Sequence, residues 1–282
     1  MLTIEQALAV QRDAAVHKAH GLRAPARFVV SGMLAGAYLG IGVILMVSTA
    51  GPLTAAGSGA GKLVGGLVFA AALTLVVFAG GELVTSSMMT LTQGVAMRAV
   101  RPARAAAALG VTFVANLGGA ALFAAAVAGA GLLHSSPGAE RMLTDMLTAK
   151  SAELPHELFL RGILCNVLVC LAIWMCARLT SDGPKIAVIA FAILAFVASG
   201  YEHVVANMTT YALGLMTGVD AATWAGFGGN MLWVGAGNLI GGAVVVGLGY
   251  WFVGGSPRGA DASVVEGAGV SVMAERGSRS PH

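Results

Sequence analysis

The sequence predicts an all-α polytopic membrane protein with six transmembrane helices, arranged as an inverted 3+3 repeat with broken second and fifth helices. An apolar composition, the lengths of the hydrophobic runs and the placement of positive charge predict this class. Hydrophobic residues make up 57% of the 282 residues and charged residues 10%, against about 25% charged in a soluble domain. This composition excludes a disordered chain and a nucleic-acid binder, and it argues against a soluble enzyme.

The hydrophobic runs define the spans. Four runs reach the length of about 20 apolar residues that a spanning helix needs, namely 28–50, 105–133, 158–178 and 223–253. The shorter runs form two adjacent pairs, 63–79 with 83–97 and 186–200 with 204–217. Polar breaks separate the members of each pair, at Gly80-Gly81-Glu82 and at Gly200-Tyr201-Glu202-His203. Each pair is predicted to cross the membrane once as a discontinuous helix.

Positive charge tests this topology. Six spans place most of the basic residues on one side: Arg12, Lys18, Arg23, Arg27, Arg98, Arg101, Arg104, Arg178, Lys185, Arg258, Arg276 and Arg279. The opposite side holds only Lys62, Arg141 and Lys150. The remaining basic residue, Arg161, lies near the start of the run 158–178. Cytoplasmic loops are the basic ones, so both termini are predicted to be cytoplasmic.

The spans divide the chain into three parts. Residues 1–27 are predicted to form a cytoplasmic amphipathic segment on the inner membrane surface, without the apolar core or cleavage site of a signal peptide. Residues 28–253 form the six-span domain, and the polar, Gly/Ser-rich residues 254–282 are predicted to be a disordered cytoplasmic tail. The cysteines all lie in one apolar run without a metal-binding spacing, and we expect them to be free and buried.

Two matches support an internal repeat. Glu, Val, Met and Thr coincide at an offset of 120 when Gly81–Thr90 is laid over Tyr201–Thr210. The sequence Asn-Leu-Gly-Gly-Ala at Asn116 recurs at Asn238 with one inserted residue. A unit of three spans must be inverted in its second copy, and inverted repeats with broken helices are typical of transporters, which bind their substrate where the breaks meet.

Ionisable residues at membrane depth are functional candidates, because they are costly in lipid. Glu82 and Glu202 each precede a half-helix, where a carboxylate can satisfy free backbone N–H groups, and we expect this structural role. His203 has Leu83 as its counterpart in the first repeat, and an imidazole there can donate to an anion or exchange protons.

Several polar residues accompany the breaks. The Thr85 hydroxyl either caps a helix or bonds His203 or an anion, and Asn207 is expected to cap or bridge backbone at the second break. Asn116 and Asn238 fall in mid-span, where they brace the broken helices or line the path. Arg161 either extends to the interface or attracts anions at a pore mouth.

Small residues spaced by four also mark span one. Gly32, Gly36 and Gly40 indicate close helix packing, within the protomer or between protomers.

The residues at the breaks resemble those of the formate/nitrite transporter family. Ser199–Thr209 is similar to the family's second-break signature, and Gly81–Thr85 is similar to the first, with Val84 where Phe is usual. Arg161–Trp174 and Asn238–Trp251 resemble the fourth and sixth spans. The resemblance covers residues 25–253 and is strongest to the nitrite channel branch.

The resemblance implies an aquaporin-like protomer in a homopentamer of the bacterial inner membrane, with one pore per protomer. It implies that His203 is the central histidine and Thr85 its partner. The implied hydrophobic constrictions fall on the following residues: Phe69, Phe196, Leu73 and Leu83. The sequence departs from the family pattern at two positions. Arg161 stands where the family usually has Lys, and Val84 stands where Phe is usual, which is expected to widen one constriction.

These observations predict a channel for small monovalent anions, nitrite first, in which His203 hydrogen-bonds or protonates the anion. Formate, lactate and hydrosulfide stay open as alternatives, as does proton-coupled transport in place of a plain channel. A water or glycerol channel is disfavoured because paired Asn-Pro-Ala motifs are absent from the sequence. No Gly-x-Ser-x-Gly elbow or acidic metal cluster occurs in the sequence, so we expect no enzyme activity, cofactor or metal.

Overall fold

The computed structural model describes residues 1–255, whose regular structure is entirely helical. The helices are α1 (Ile4–Gly21), α2 (Pro25–Ala55), α3 (Gly61–Leu75), α4 (Val84–Ala96), α5 (Pro102–Gly129), α6 (Pro137–Ala152), α7 (Pro155–Arg178), α8 (Asp182–Ala198), α9 (Val204–Thr217), α10 (Trp224–Leu239) and α11 (Gly249–Gly254). Two π-helical segments, Val76–Gly80 and Ile240–Leu248, continue α3 and join α10 to α11. The predicted tail, apart from its first two residues, lies outside the described residues.

Within the described residues, five helical segments are long and apolar enough to cross a membrane: Pro25–Ala55, Gly61–Gly80, Pro102–Gly129, Pro155–Arg178 and Trp224–Gly254. The expectation that run 63–79 is too short is wrong. The helix begins at Gly61 and the π-helical segment extends it to Gly80, which gives 20 residues. The other three members of the pairs are short helices: α4 has 13 residues, α8 has 17 and α9 has 14.

Both helix breaks have a glycine at the turn. Gly80 and Gly200 adopt φ values of +85° and +72°, a region that only glycine enters freely. The chain then runs extended through Leu83 and His203, which stand at the N-cap positions of α4 and α9. The glycines thus end one helix and allow a second to begin a few residues later.

Glycines bring the long helices into backbone contact. A Cβ atom on Gly36 would overlap the carbonyl of Asn116, and one on Gly119 would overlap that of Met33, so α2 and α5 touch. Gly237 and Gly241 approach the backbone of α7 in the same way from the α10 side. The glycine spacing in span one therefore serves packing inside the protomer, and Gly32 and Gly40 face side chains of α5 as well.

The two membrane faces differ in what covers them. On the first, α1 packs against the half-helix α4, and Leu2 exchanges hydrogen bonds with Arg178 at the end of α7. The end of α11 reaches the same face, where Gly254 lies against Leu8. On the opposite face, Gly138 of α6 lies against Gly51 near the end of α2. We call these the α1 face and the α6 face.

The contact between α2 and α5 predicts different effects at adjacent glycines. Gly119→Ala forces a methyl group into the Met33 backbone, and overpacking of this kind costs about 1–3 kcal/mol. Gly118→Ala is the matched control, because nothing lies within 4 Å of its added Cβ. Thermal unfolding of the two variants in detergent measures the difference. Equal unfolding midpoints would contradict the close backbone contact.

Candidate functional site

A buried asparagine on α5 holds the first break. The Asn116 Oδ1 accepts from the Val84 N–H of α4 at 2.9 Å. Its Nδ2 donates to the carbonyls of Gly32 and Glu82, each at 2.8 Å. One amide therefore satisfies the free N–H that begins the half-helix and ties the break to α2.

Asn238 on α10 does the same at the second break. Its Oδ1 accepts from the Val204 N–H of α9 at 2.9 Å. Its Nδ2 donates to the carbonyls of Gly162 and Glu202, at 2.8 and 3.0 Å. The sequence left open whether Asn116 and Asn238 brace the broken helices or line the path. These contacts fit the bracing role. Both residues are fully buried.

Lysines bind the carboxylates at the breaks. The Lys18 Nζ lies 2.5 Å from Glu82 Oε2. The Lys150 Nζ lies 2.5 and 2.6 Å from the two carboxylate oxygens of Glu202. The two carboxylates were expected to accept hydrogen bonds from the backbone N–H groups that begin the half-helices. This expectation is wrong, because the Val84 and Val204 N–H groups donate to asparagines and the carboxylates bind lysines. A carboxylate that is largely withdrawn from solvent needs a charged partner, and α1 and α6 each supply one.

Asn207 fixes the orientation of Glu202. Its Nδ2 donates to Glu202 Oε2 at 2.6 Å and to Asn230 Oδ1 at 2.8 Å. The expected bridging of backbone by Asn207 is therefore replaced by bonds between side chains. The Lys150–Glu202–Asn207–Asn230 chain lies almost entirely out of solvent.

His203 and Thr85 meet at the centre of the protein. The His203 Nε2 lies 3.0 Å from Thr85 Oγ1, although 118 positions separate them in sequence. The His203 Nδ1 accepts from the Ala206 N–H at 3.2 Å. A neutral imidazole that accepts at Nδ1 carries its hydrogen on Nε2, so Nε2–H donates to the threonine hydroxyl. The Thr85 O–H is then left to donate to another acceptor.

A cavity of about 670 Å³ leads from the α6 face to His203. Its lining includes Phe69, Phe196 and His203, which are all buried. The two phenylalanine rings meet edge to face with centroids 5.8 Å apart, and Phe196 lies parallel to the imidazole at 6.1 Å. Two aromatic side chains therefore lie next to the histidine in the wall of the cavity.

The remaining predicted constriction residues lie deeper. Leu73, Leu83 and Val84 are each at most 2% exposed and are absent from the lining of the α6-face cavity. Leu83 and Val84 begin α4, directly before Thr85. These three residues therefore belong to the packed core around the first break.

Charges in the cavity are largely paired. Arg161 Nη1 contacts Glu153 Oε1, and the Arg161 side chain is 41% exposed. Burial and the nearby Glu202 raise the pKa of the Glu153 carboxyl above its ordinary value, against the opposing influence of Lys150 and Arg161. The cavity lining holds four cationic and three acidic residues: Lys62, Arg141, Lys150, Arg161, Asp145, Glu153 and Glu202. Its balance with all groups ionised is one positive charge.

Several site residues lie outside the sequence-based set. Lys18 and Lys150 appeared in the sequence only as charges flanking spans, since neither lies in a hydrophobic run. Asn166 on α7 donates to the carbonyls of Thr85 and Asn238, at 3.1 and 2.6 Å, and so ties the two breaks together. An amide inside an apolar run is a signal for such a role.

Five apolar helices of spanning length and a cavity that reaches a histidine paired with a threonine indicate a membrane transport protein of the channel class. The chain belongs to the formate/nitrite transporter family, whose model matches residues 5–252. It is 42% identical over 235 residues to the nitrite transporter NirC of Escherichia coli K12, covering 81% of this chain and 84% of that protein.

Solved structures are similar as well. An ion channel of the same family superposes with a TM-score of 0.79 at 39% identity, over 88% of this chain and 98% of that one. A pentameric formate channel with formate bound superposes with a TM-score of 0.68 at 27% identity, over 82% and 98%.

The Lys150–Glu202 contact predicts a stability effect. Lys150→Gln leaves the Glu202 carboxylate buried without its cation, and breaking a buried pair in this way costs about 3–5 kcal/mol. The double variant Lys150→Gln/Glu202→Gln regains most of the loss, because no charge is then left unpaired. Lys62→Gln, at an exposed lysine of the same cavity, is the control and leaves denaturant unfolding unchanged. A double variant as unstable as the single one would contradict the pairing.

Proposed function

We propose that this protein is a nitrite channel of the bacterial inner membrane, in which His203 carries the anion through the narrow centre by hydrogen bonding. The observation that carries the proposal is the His203–Thr85 pair: the two side chains lie 3.0 Å apart, and His203 lines the α6-face cavity. It offers an anion two neutral donors: the threonine O–H, and the Nε2–H, which an arriving anion takes over from the threonine oxygen. Such donors lower the cost of leaving water.

Nitrite is the proposed substrate because of the similarity to the nitrite transporter NirC, at 42% identity. Formate is the alternative, since the chain also superposes on a formate channel with formate bound. Nitrite and formate are small monovalent anions whose oxygens accept hydrogen bonds. Lactate shares these properties and hydrosulfide shares the charge, so both stay as further alternatives. The function is transport rather than catalysis.

The polar clusters before the constriction supply the electrostatics. Lys150 is held at the inner part of the cavity by Glu202, and Arg161 stands beside Glu153. The carboxylates do not fully cancel the cations, since the cavity lining carries one net positive charge with all groups ionised. The half-helices α4 and α9 begin at the breaks, so their positive dipole ends also favour an anion there.

The hydrogen bonds of His203 favour a neutral imidazole that donates a hydrogen bond to the anion over an imidazolium that transfers a proton to it. The Nδ1 atom faces the Ala206 N–H, so an imidazolium would set two N–H groups against each other. We therefore propose that the anion crosses as a hydrogen-bonded ion, with Glu82, Asn116, Asn207 and Asn238 shaping the path and Phe69, Phe196, Leu73, Leu83 and Val84 excluding water.

We propose six spans in an inverted 3+3 repeat, assembled as a homopentamer. Three pairs of matching contacts support the repeat: Asn116 with Asn238, Lys18–Glu82 with Lys150–Glu202, and α2–α5 packing with α7–α10 packing. In this arrangement α3 with α4, and α8 with α9, each cross once. Both described chain ends lie at the α1 face, and we assign that face to the cytoplasm. Residues 1–27 then form an inner-surface segment, 28–253 the channel domain and 254–282 a cytoplasmic tail.

Replacement of His203 is predicted to abolish transport. In proteoliposomes, His203→Phe is expected to reduce nitrite flux to the background of empty liposomes, because the anion loses the imidazole donor and the Thr85 hydroxyl loses the group that orients it. His134→Phe, at an exposed loop histidine, makes the same chemical change and leaves flux intact. Size-exclusion profiles check that both variants assemble. Wild-type flux through His203→Phe would remove this residue from the mechanism.

The mode of crossing predicts how flux depends on charge and protons. Nitrite, formate and nitrate are compared under an imposed membrane potential, with the internal pH recorded. A hydrogen-bonded ion moves charge, so nitrite flux is expected to follow the potential without a coupled pH change. Alkalinisation of the side that nitrite leaves would show proton coupling instead. Permeation by water or glycerol alone would overturn the proposed function.

A further inference from the structure

A second cavity lies on the α1 face, away from the path to His203. Its volume is about 370 Å³. Its basic lining residues are His20 near the end of α1, Arg101 before α5, and Arg104 in the first turn of α5. Its apolar lining comes from Val16, Ala19, Ala99 and Val100.

The charge in this cavity is uncompensated. No carboxylate from the part of the chain that the structure describes lines the cavity. Throughout residues 1–255, neither the ion pairs nor the side-chain hydrogen bonds engage the basic groups of His20, Arg101 or Arg104. This contrasts with Lys18, Lys150 and Arg161, each of which contacts a carboxylate. Like charges gathered in one concavity repel each other, so their convergence favours an anion between them.

The position of the cavity indicates what kind of anion fits. The membrane helices α2 and α5 begin at Pro25 and Pro102, and the basic residues stand within a turn or two of these starts. This is the depth at which phospholipid headgroups lie. Arginine binds phosphate oxygens through two parallel N–H groups, and the apolar residues of the same cavity suit the start of a lipid chain.

We propose that this cavity binds the anionic phosphate of a phospholipid headgroup or of a soluble phosphate ester, and that the bound phosphate holds the end of α1 against the start of α5. The three basic residues come from two separate parts of the chain, so one phosphate bridges them. The proposal does not depend on which anion the channel conducts.

The test uses the full chain purified in detergent, titrated with phosphatidylglycerol or with glycerol 3-phosphate. Binding is read from the thermal unfolding midpoint and from native mass spectrometry. Arg101→Gln/Arg104→Gln is expected to weaken phosphatidylglycerol binding at least about tenfold, since it removes two charge-assisted contacts to the phosphate. Arg12→Gln/Arg27→Gln removes the same charge at exposed residues outside the cavity and is expected to keep wild-type affinity.

Hydrogen exchange supplies an independent readout. Phosphate bound at this site slows amide exchange in α1 in the wild type and in the control variant, but not in Arg101→Gln/Arg104→Gln. Stabilisation by phosphatidylglycerol alone identifies a lipid headgroup, and stabilisation by both probes identifies a phosphate ester site. Equal weakening in the control variant, or no stabilisation by either probe, would overturn the proposal.

Discussion

The structure depends on satisfying backbone N–H groups where two helices begin inside the membrane. Hydrocarbon offers no water to these groups, and each one left free costs several kcal/mol. Asn116 and Asn238 solve this problem identically, with one oxygen on the first amide of the half-helix and one nitrogen shared between two carbonyls. Because the breaks are held this way, a histidine and a threonine can meet at the centre of an otherwise apolar protein.

The charged groups around the breaks follow from the same constraint. A carboxylate at this depth needs a cation, and in both cases an amphipathic helix outside the spans supplies a lysine. The pairs leave the His203–Thr85 site neutral and the α6-face cavity only slightly positive. A weakly positive entrance and a neutral donor at the narrow point suit an anion that has to leave again, since conduction fails when binding is too tight.

The sequence located the breaks well, and the observed helices end and restart within a few residues of the predicted limits. Glycine, carboxylate and histidine within an apolar stretch are strong local signals, because each is costly there unless it has a use. No comparable local signal marks Lys18, Lys150 or Asn230. Lysines in amphipathic helices resemble ordinary surface charges, and only the folding of α1 and α6 over the breaks brings them to Glu82 and Glu202. The expected bonding of the half-helix amides by the two glutamates was wrong because asparagines occupy those amides. These asparagines lie over thirty positions away in the sequence, so local patterns do not reveal them.

The amino-acid sequence by itself determined that this chain is a membrane protein with two interrupted helices and a histidine at one interruption. Hydrophobicity, charge bias and glycine placement are properties of short segments, so they can be read along the chain. The tertiary structure alone decided which donors meet which acceptors: Nε2–H of His203 on Thr85, the asparagines on the half-helix amides, and the lysines on the carboxylates. These bonds join residues between 32 and 118 positions apart, and their partners are selected by helix packing rather than by spacing in sequence.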